Sequence, residues 1–195
     1  MAFVGHRDLM RCFERLFRRA QMALSLSEGF HPHSRMSFPL ALALGVDGQD
    51  EVMEIELSDD TIAGDEIMRR AAPLVPSGLT IRSARLLPEG SKKAKVTSVR
   101  YRIPLTADYH RQAVSRIGPL LEASTFPVLR PGKERPIDIR PTMDVLTAPD
   151  NALQVRLLRG GPLPDVGPRD ILLAMELPEE AVAGRVVRTA VELGE

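Results

Sequence analysis

Residues 7–21 constrain this chain more than any other stretch. At 100° per residue, Leu9, Met10, Cys12, Phe13, Leu16, Phe17 and Ala20 fall on one side of a helix. Arg7, Arg11, Arg15 and Arg18 fall within about 80° of one another on the opposite side. A helix divided in this way buries its apolar side in a core. The arginine side admits two readings. One is an ordinary solvated face. The other is a surface that meets anions, since four arginines stand in register with only Glu14 nearby.

The rest of the chain can be placed around that helix. Met1–Val4 reads as the end of a strand whose beginning is missing, as though the N-terminus were short or the start codon lay upstream. Leu24–Ser27 is short and extended. The connection Ser27-Glu28-Gly29-Phe30-His31-Pro32-His33-Ser34-Arg35-Met36-Ser37-Phe38 follows, and it is richer in functional side chains than a turn requires. Phe38–Val46 is a dense apolar run whose Pro39 predicts an edge or bulged strand. Val52–Leu57 alternates, with Glu54 and Glu56 on the wet face. Asp59, Asp60 or Thr61 is placed to cap a helix that runs to about Leu74, and Leu79–Leu87 reads as a further strand. With the first strand truncated, this half has the βαββαβ order of a ferredoxin-like unit.

Pro88–Lys95 is a polar, basic linker, and beyond it the order repeats loosely. Val96–Leu105 predicts a strand with Arg100 and Arg102 on one face. A helix over 108–123 follows, then a short strand at 126–130. Pro136–Leu146 predicts a strand that presents Asp138 and Arg140 together. Ala152–Leu158 is a strand, Pro168–Met175 a helix, and Arg185–Leu193 a last strand. The expected architecture is therefore α+β. It consists of two tandem ferredoxin-like units with antiparallel sheets, over residues 1–89 and 96–195, the second with an extra hairpin. No residue-level repeat joins the halves.

Composition narrows the function. The chain has 195 residues, 26 basic and 26 acidic, so its net charge of zero names no partner. The charge is uneven along the chain. Residues 1–40 carry six basic and three acidic side chains, 41–80 two and nine, 81–145 thirteen and six, and 146–195 five and eight. Such blocks permit a basic face on a neutral molecule. Cys12 is the single cysteine, so no disulfide framework, cysteine zinc site or iron–sulfur cluster is available within the chain. No signal peptide or long apolar run is evident, which predicts a cytoplasmic protein with no membrane contact. Trp is absent and aromatics are 4%, against a surface that stacks many bases. No Walker loop, dinucleotide fingerprint or nucleophile elbow is present, and nothing calls for a cofactor.

Three groups of residues carry candidate chemistry. His6, Asp8, His31 and His33 form a candidate metal or acid–base set, because His-x-His on an extended segment puts both rings on one side. Pro32 between the histidines weighs against it, and Asp8 also suits the first turn of the helix through the helix dipole. Arg35, Ser34 and Ser37, with the loop amides and the arginine stripe, form a candidate phosphate site in which Gly29 permits close backbone approach. Asp138 and Arg140 are either a cross-strand ion pair or a second contact point.

Gly5-His6-Arg7-Asp8-Leu9-Met10-Arg11 and Gly29-Phe30-His31-Pro32-His33-Ser34-Arg35-Met36-Ser37-Phe38, with Ile137-Asp138-Ile139-Arg140-Pro141 and Val187-Arg188-Thr189, resemble the radical-SAM-linked protein family. That family is an uncharacterised bacterial domain found beside, or fused to, cobalamin-binding radical SAM proteins. Where the family has asparagine, this chain has His31, so a metal site needing His31 is not a family property. The resemblance implies a radical SAM protein as partner and, from the company such genes keep, tRNA or rRNA as a possible substrate. The tandem layout also resembles, at the level of fold alone, the CRISPR repeat-processing ribonucleases, and this transfers no function.

The leading expectation is an RNA-recognition or substrate-presenting accessory module, with Asp8, His33 and Ser37 shaping its pocket. One alternative is an enzyme in which His6, His31 or His33 works as general acid–base, with arginines stabilising phosphoryl charge. The other is a protein-docking module that pairs through the edge of the 38–46 strand.

Overall fold

The computed structural model describes residues 5–59 and 61–194. The N-terminal strand expected at residues 1–4, and Asp60 as a helix cap, lie outside the described residues. The chain divides into two compact units, one of residues 1–44 and 52–94, the other of 45–51 and 95–195. A seven-residue segment thus leaves the first half of the sequence and joins the second unit, through pairing that no local pattern encodes.

In the first unit, helix α1 (His6–Arg19) buries Phe13, Leu16 and Phe17. Asp8 sits in its first turn, where a carboxylate suits the helix dipole. The helix ends in a Schellman arrangement. Gln21 takes the left-handed conformation at φ +56°, Gln21 N–H donates to Arg18 O, and Met22 N–H donates to Phe17 O. Met22 is thereby turned into the core. Strand β1 (Met36–Ser37) is antiparallel to a later pair of residues, Glu54–Ile55. Between them, in sequence, lies β2 (Asp47–Gly48), which belongs to the other unit; Glu54–Ile55 is β3. Helix α2 (Gly64–Ala71) adds Ile67 and Ala71 to the core, and the chain continues as a 3-10 turn over Ala72–Leu74.

Three expectations for this half fail. The apolar run 38–46 is not a strand, because Pro39 supplies no donor and the run lacks alternation; only Val46 within it is buried. Leu79–Leu87 is likewise irregular, with Leu86 and Leu87 exposed. Asp59 does not cap α2. Its Oδ1 accepts from Thr61 N–H (3.0 Å) and Thr61 Oγ1 (2.6 Å), an Asx turn that competes with capping, and α2 begins at Gly64. The first unit is held by a helix-centred core with two-residue strands, and among the described residues it contains no four-stranded sheet.

The second unit is built on long strands, β4 (Val96–Pro104), β7 (Met143–Thr147), β8 (Ala152–Leu158) and β9 (Val187–Leu193). Helix α3 (Ala107–Glu122) follows β4, and α4 (Pro168–Ala174) follows β8. A two-residue pair, β5 (Pro127–Val128) with β6 (Ile137–Asp138), lies in the α3–β7 connection. The sheet order is β2-β9-β4-β8-β7. All pairs are antiparallel except β2, which adds a parallel edge to β9. Alternation on β4 and β8 buries Val99, Tyr101, Ile103, Leu153, Val155 and Leu157. It leaves Arg100, Arg102, Gln154 and Arg156 on the other face.

Candidate functional site

The arginine side of α1 is open. Arg7, Arg11, Arg15 and Arg18 are all exposed, as the periodicity requires, and Arg19 is exposed with them. Arg11 stands 4.0 Å from Asp8, an exposed pair of little strength. Among the described residues, the guanidinium groups of Arg7, Arg15, Arg18 and Arg19 have no hydrogen-bonding or ion-pairing partner. Arg11, Arg15 and Arg19 form one i, i+4 row, about 12 Å long at 1.5 Å per residue. This row borders a groove of about 480 Å³, which Asp8, Cys12, Leu16 and the segment Pro73–Pro76 also line. Cys12 is half-buried and free. Arg19 lies about 40° outside the 80° stripe, toward Cys12 and Leu16, and its i, i+4 relation to Arg15 is the sequence signal that places it in the row.

The connection after α1 does not assemble the expected pocket. Arg35 Nη1 lies 3.1 Å from both carboxylate oxygens of Glu56. Ser37 Oγ donates to Glu54 Oε2 at 3.4 Å, and Glu54 Oε1 also accepts from Ala94 N–H at 2.7 Å. A phosphate approaching Arg35 or Ser37 therefore meets the acidic wet face of the 52–57 segment. Ser34 instead joins Leu26 in a single antiparallel bridge.

The histidines go separate ways. His6 is exposed and packs edge-on against Phe38, with ring centroids 5.7 Å apart. His33 is tied to Ser27, whose Oγ lies 2.8 Å from Nδ1 and accepts the His33 backbone N–H at 3.1 Å. His31 is exposed and, among the described residues, has no partner. Among those residues no three His, Cys, Asp or Glu side chains converge to hold a metal ion, so His6, Asp8, His31 and His33 do not form the ligand set that their spacing suggested. The cause is local: the ring of His33 faces Ser27, and that of His6 faces an aromatic.

Asp138 and Arg140 make neither of the expected arrangements. Strand β6 stops at Asp138 and a 3-10 turn over Arg140–Thr142 follows. Asp138 Oδ1 accepts from the backbone N–H groups of Phe126 (2.7 Å) and Arg140 (3.1 Å). The Arg140 guanidinium donates to the carbonyls of Leu121, Ala123 and Met143. It thus caps the C-terminal end of α3, where unpaired carbonyls and the helix dipole both favour a cation.

On the open sheet face of the second unit, a cleft of about 280 Å³ is lined by Arg100, Arg102, Arg156, Gln154 and Thr189. Two of these arginines are neutralised. Glu192 accepts from Ser98, Arg100 and Arg156, and these hydrogen bonds, Ser98 first, hold its carboxyl down at about 2. Arg156 also pairs with Asp144 at 2.7 Å.

Among the described residues no helix is long and apolar enough to cross a membrane. No curated protein matches the chain. Residues 1–162 match the family described as "Uncharacterized protein conserved in bacteria (DUF2344)", and the chain belongs to that family.

Proposed function

We propose that this member of the family is a cytoplasmic accessory module whose first unit meets RNA phosphates through α1 and presents tRNA or rRNA to a radical SAM enzyme. The observation that carries the proposal is the arginine face of α1. A fold does not gain from several neighbouring guanidiniums of like charge with no partner, whereas a polyanion does. Lys92 and Lys93 of the linker add further basic side chains to the same unit. The second unit reads as a ferredoxin-like fold from its connection and strand order, with one sheet face left open. The radical SAM partner rests on the resemblance of the motifs around His6 and Gly29. The chemistry belongs to that partner, because a single cysteine cannot hold an iron–sulfur cluster.

The test is binding of bulk tRNA and of rRNA fragments across a salt series. Micromolar affinity that falls steeply with salt is expected. Arg11→Ala with Arg15→Ala should weaken binding and reduce the log–log slope by about 0.7–0.9 for each phosphate no longer neutralised. An unchanged slope, or no binding at low salt, refutes the RNA reading.

A further inference from the structure

Phe30 is fully exposed, at 102% of its reference accessibility. Single exposed apolar side chains are common and carry no meaning alone. What distinguishes Phe30 is the clasp beneath it. Leu26 and Ser34 bridge in antiparallel fashion, and Ser27 N–H donates to His33 O at 2.8 Å. The Ser27 hydroxyl then binds His33 twice, at Nδ1 and at the backbone N–H. Residues 28–32 are closed into a tight loop over these bonds, with Gly29 at φ +113°, a conformation that side-chain-bearing residues rarely adopt. The far end of the same connection is fixed to α1, because Phe38 packs on Phe13 at 5.9 Å and on His6 at 5.7 Å. The loop therefore presents one bare aromatic ring on a fixed base, and a preorganised geometry of this kind lowers the ordering cost of binding.

We propose that Phe30 stacks on one unpaired nucleobase of the RNA whose phosphates α1 meets; this rests on the RNA-binding function proposed for α1. A phenyl ring has no polar handle and so selects for a flat π-face rather than for a particular base edge, which suits a contact tolerant of sequence. The arginine face lies in the same unit and supplies the complementary attraction for the backbone. With 4% aromatics and no Trp, the chain can stack one base or very few, in keeping with a single displayed nucleotide rather than a long single strand.

The absence of Trp makes the test direct. Phe30→Trp introduces the sole tryptophan, and its emission can be excited apart from the two tyrosines. Titration with a single-stranded RNA should quench that emission, and a matched duplex should quench it far less. Phe30→Ala should weaken single-strand binding roughly five- to 150-fold while leaving the salt slope unchanged. Steep salt-dependent RNA binding with no change in Phe30→Trp emission and no weakening in Phe30→Ala overturns the stacking proposal and leaves the phosphate reading standing. Failure of the parent chain to bind any RNA overturns both. A Phe30→Ala chain that keeps its RNA affinity but no longer binds the radical SAM protein also overturns it, in favour of a protein contact.

Discussion

Replacing Glu51 with Ala tests how the second unit holds the strand that reaches it from the other half of the sequence. Arg188 on β9 has a side chain only 2% exposed, and it donates from Nε (2.8 Å) and Nη2 to the two oxygens of Glu51. Burial pulls the Arg188 guanidinium down, and the hydrogen bonds and charge of Glu51, with Tyr101 behind them, outweigh burial and hold it above its usual value. Glu51 lies beside Gly48 in β2, where a Cβ would come within 2.6 Å of its Cγ, so the missing side chain makes room for the carboxylate. Removing one partner of a buried pair costs about 3–5 kcal/mol. The lower end applies here because Tyr101 still faces Arg188. About 3 kcal/mol in a unit of this size lowers Tm by roughly 10–20 °C. Thermal unfolding followed by circular dichroism reads the shift, and Glu51→Leu combined with Arg188→Met should recover most of it, since apolar residues of similar volume replace such pairs without penalty. A single Glu51→Ala chain within about 1 kcal/mol of the parent would refute the assignment of this pair as the tie between β2 and the sheet.

Arg140→Lys should cost about 1–2 kcal/mol in thermal unfolding, since an ammonium cannot fork to the carbonyls of Leu121, Ala123 and Met143 together; an unchanged Tm would show that α3 does not depend on this cap. Glu192 has a folded-state value of about 2 against an ordinary 4.5, so its contribution is present above pH 4.5 and is lost as pH falls toward 2. Glu192→Gln should therefore be less stable than the parent at pH 7, with the gap closing across that window in acid denaturation curves. A constant gap would disprove the linkage.

The strongest periodicities in the sequence survive in the structure. The two faces of α1 and the alternation of 96–104, 152–158 and 187–193 are local properties of side-chain spacing, and each element forms close to its expected bounds. What could not be read was pairing. The apolar run 38–46 resembles a strand in composition, but a strand exists only where a neighbour accepts its hydrogen bonds, and Pro39 weakens that prospect. The parallel strand at 47–48 pairs with residues some 140 positions later. The same limit applies to the site. His-x-His spacing allowed a shared ligand, yet Ser27, six residues before His33, claims the ring. Asp138 and Arg140 alternate in sequence, yet a turn after residue 138 sends the arginine to the end of α3. Phe30 carried no spacing signal, because what marks it is the absence of packing.

The use of arginine elsewhere in the chain bears on how α1 is read. Arg116 donates to Met175 O and to Glu176, both at 2.6 Å, Arg130 chelates Asp170, and Arg159 joins Asp165 and Val166 O. Arg69 and Arg70 both reach Glu66. Arg140 and Arg188 each close off backbone or buried charge. This protein's habit is to give a guanidinium several fixed acceptors, often carbonyls at helix ends, where the planar fork is hard to replace. Among the described residues, the arginines with no partner are Arg7, Arg15, Arg18, Arg19, Arg85, Arg102 and Arg135, and four of those seven stand on one helix of fourteen residues. If exposure alone explained them, they would be scattered as Arg85, Arg102 and Arg135 are. They cluster beside a groove in which Asp8 is the one acidic side chain, and among the described residues Asp8 reaches only Arg11, so this helix departs from the way the chain uses arginine elsewhere.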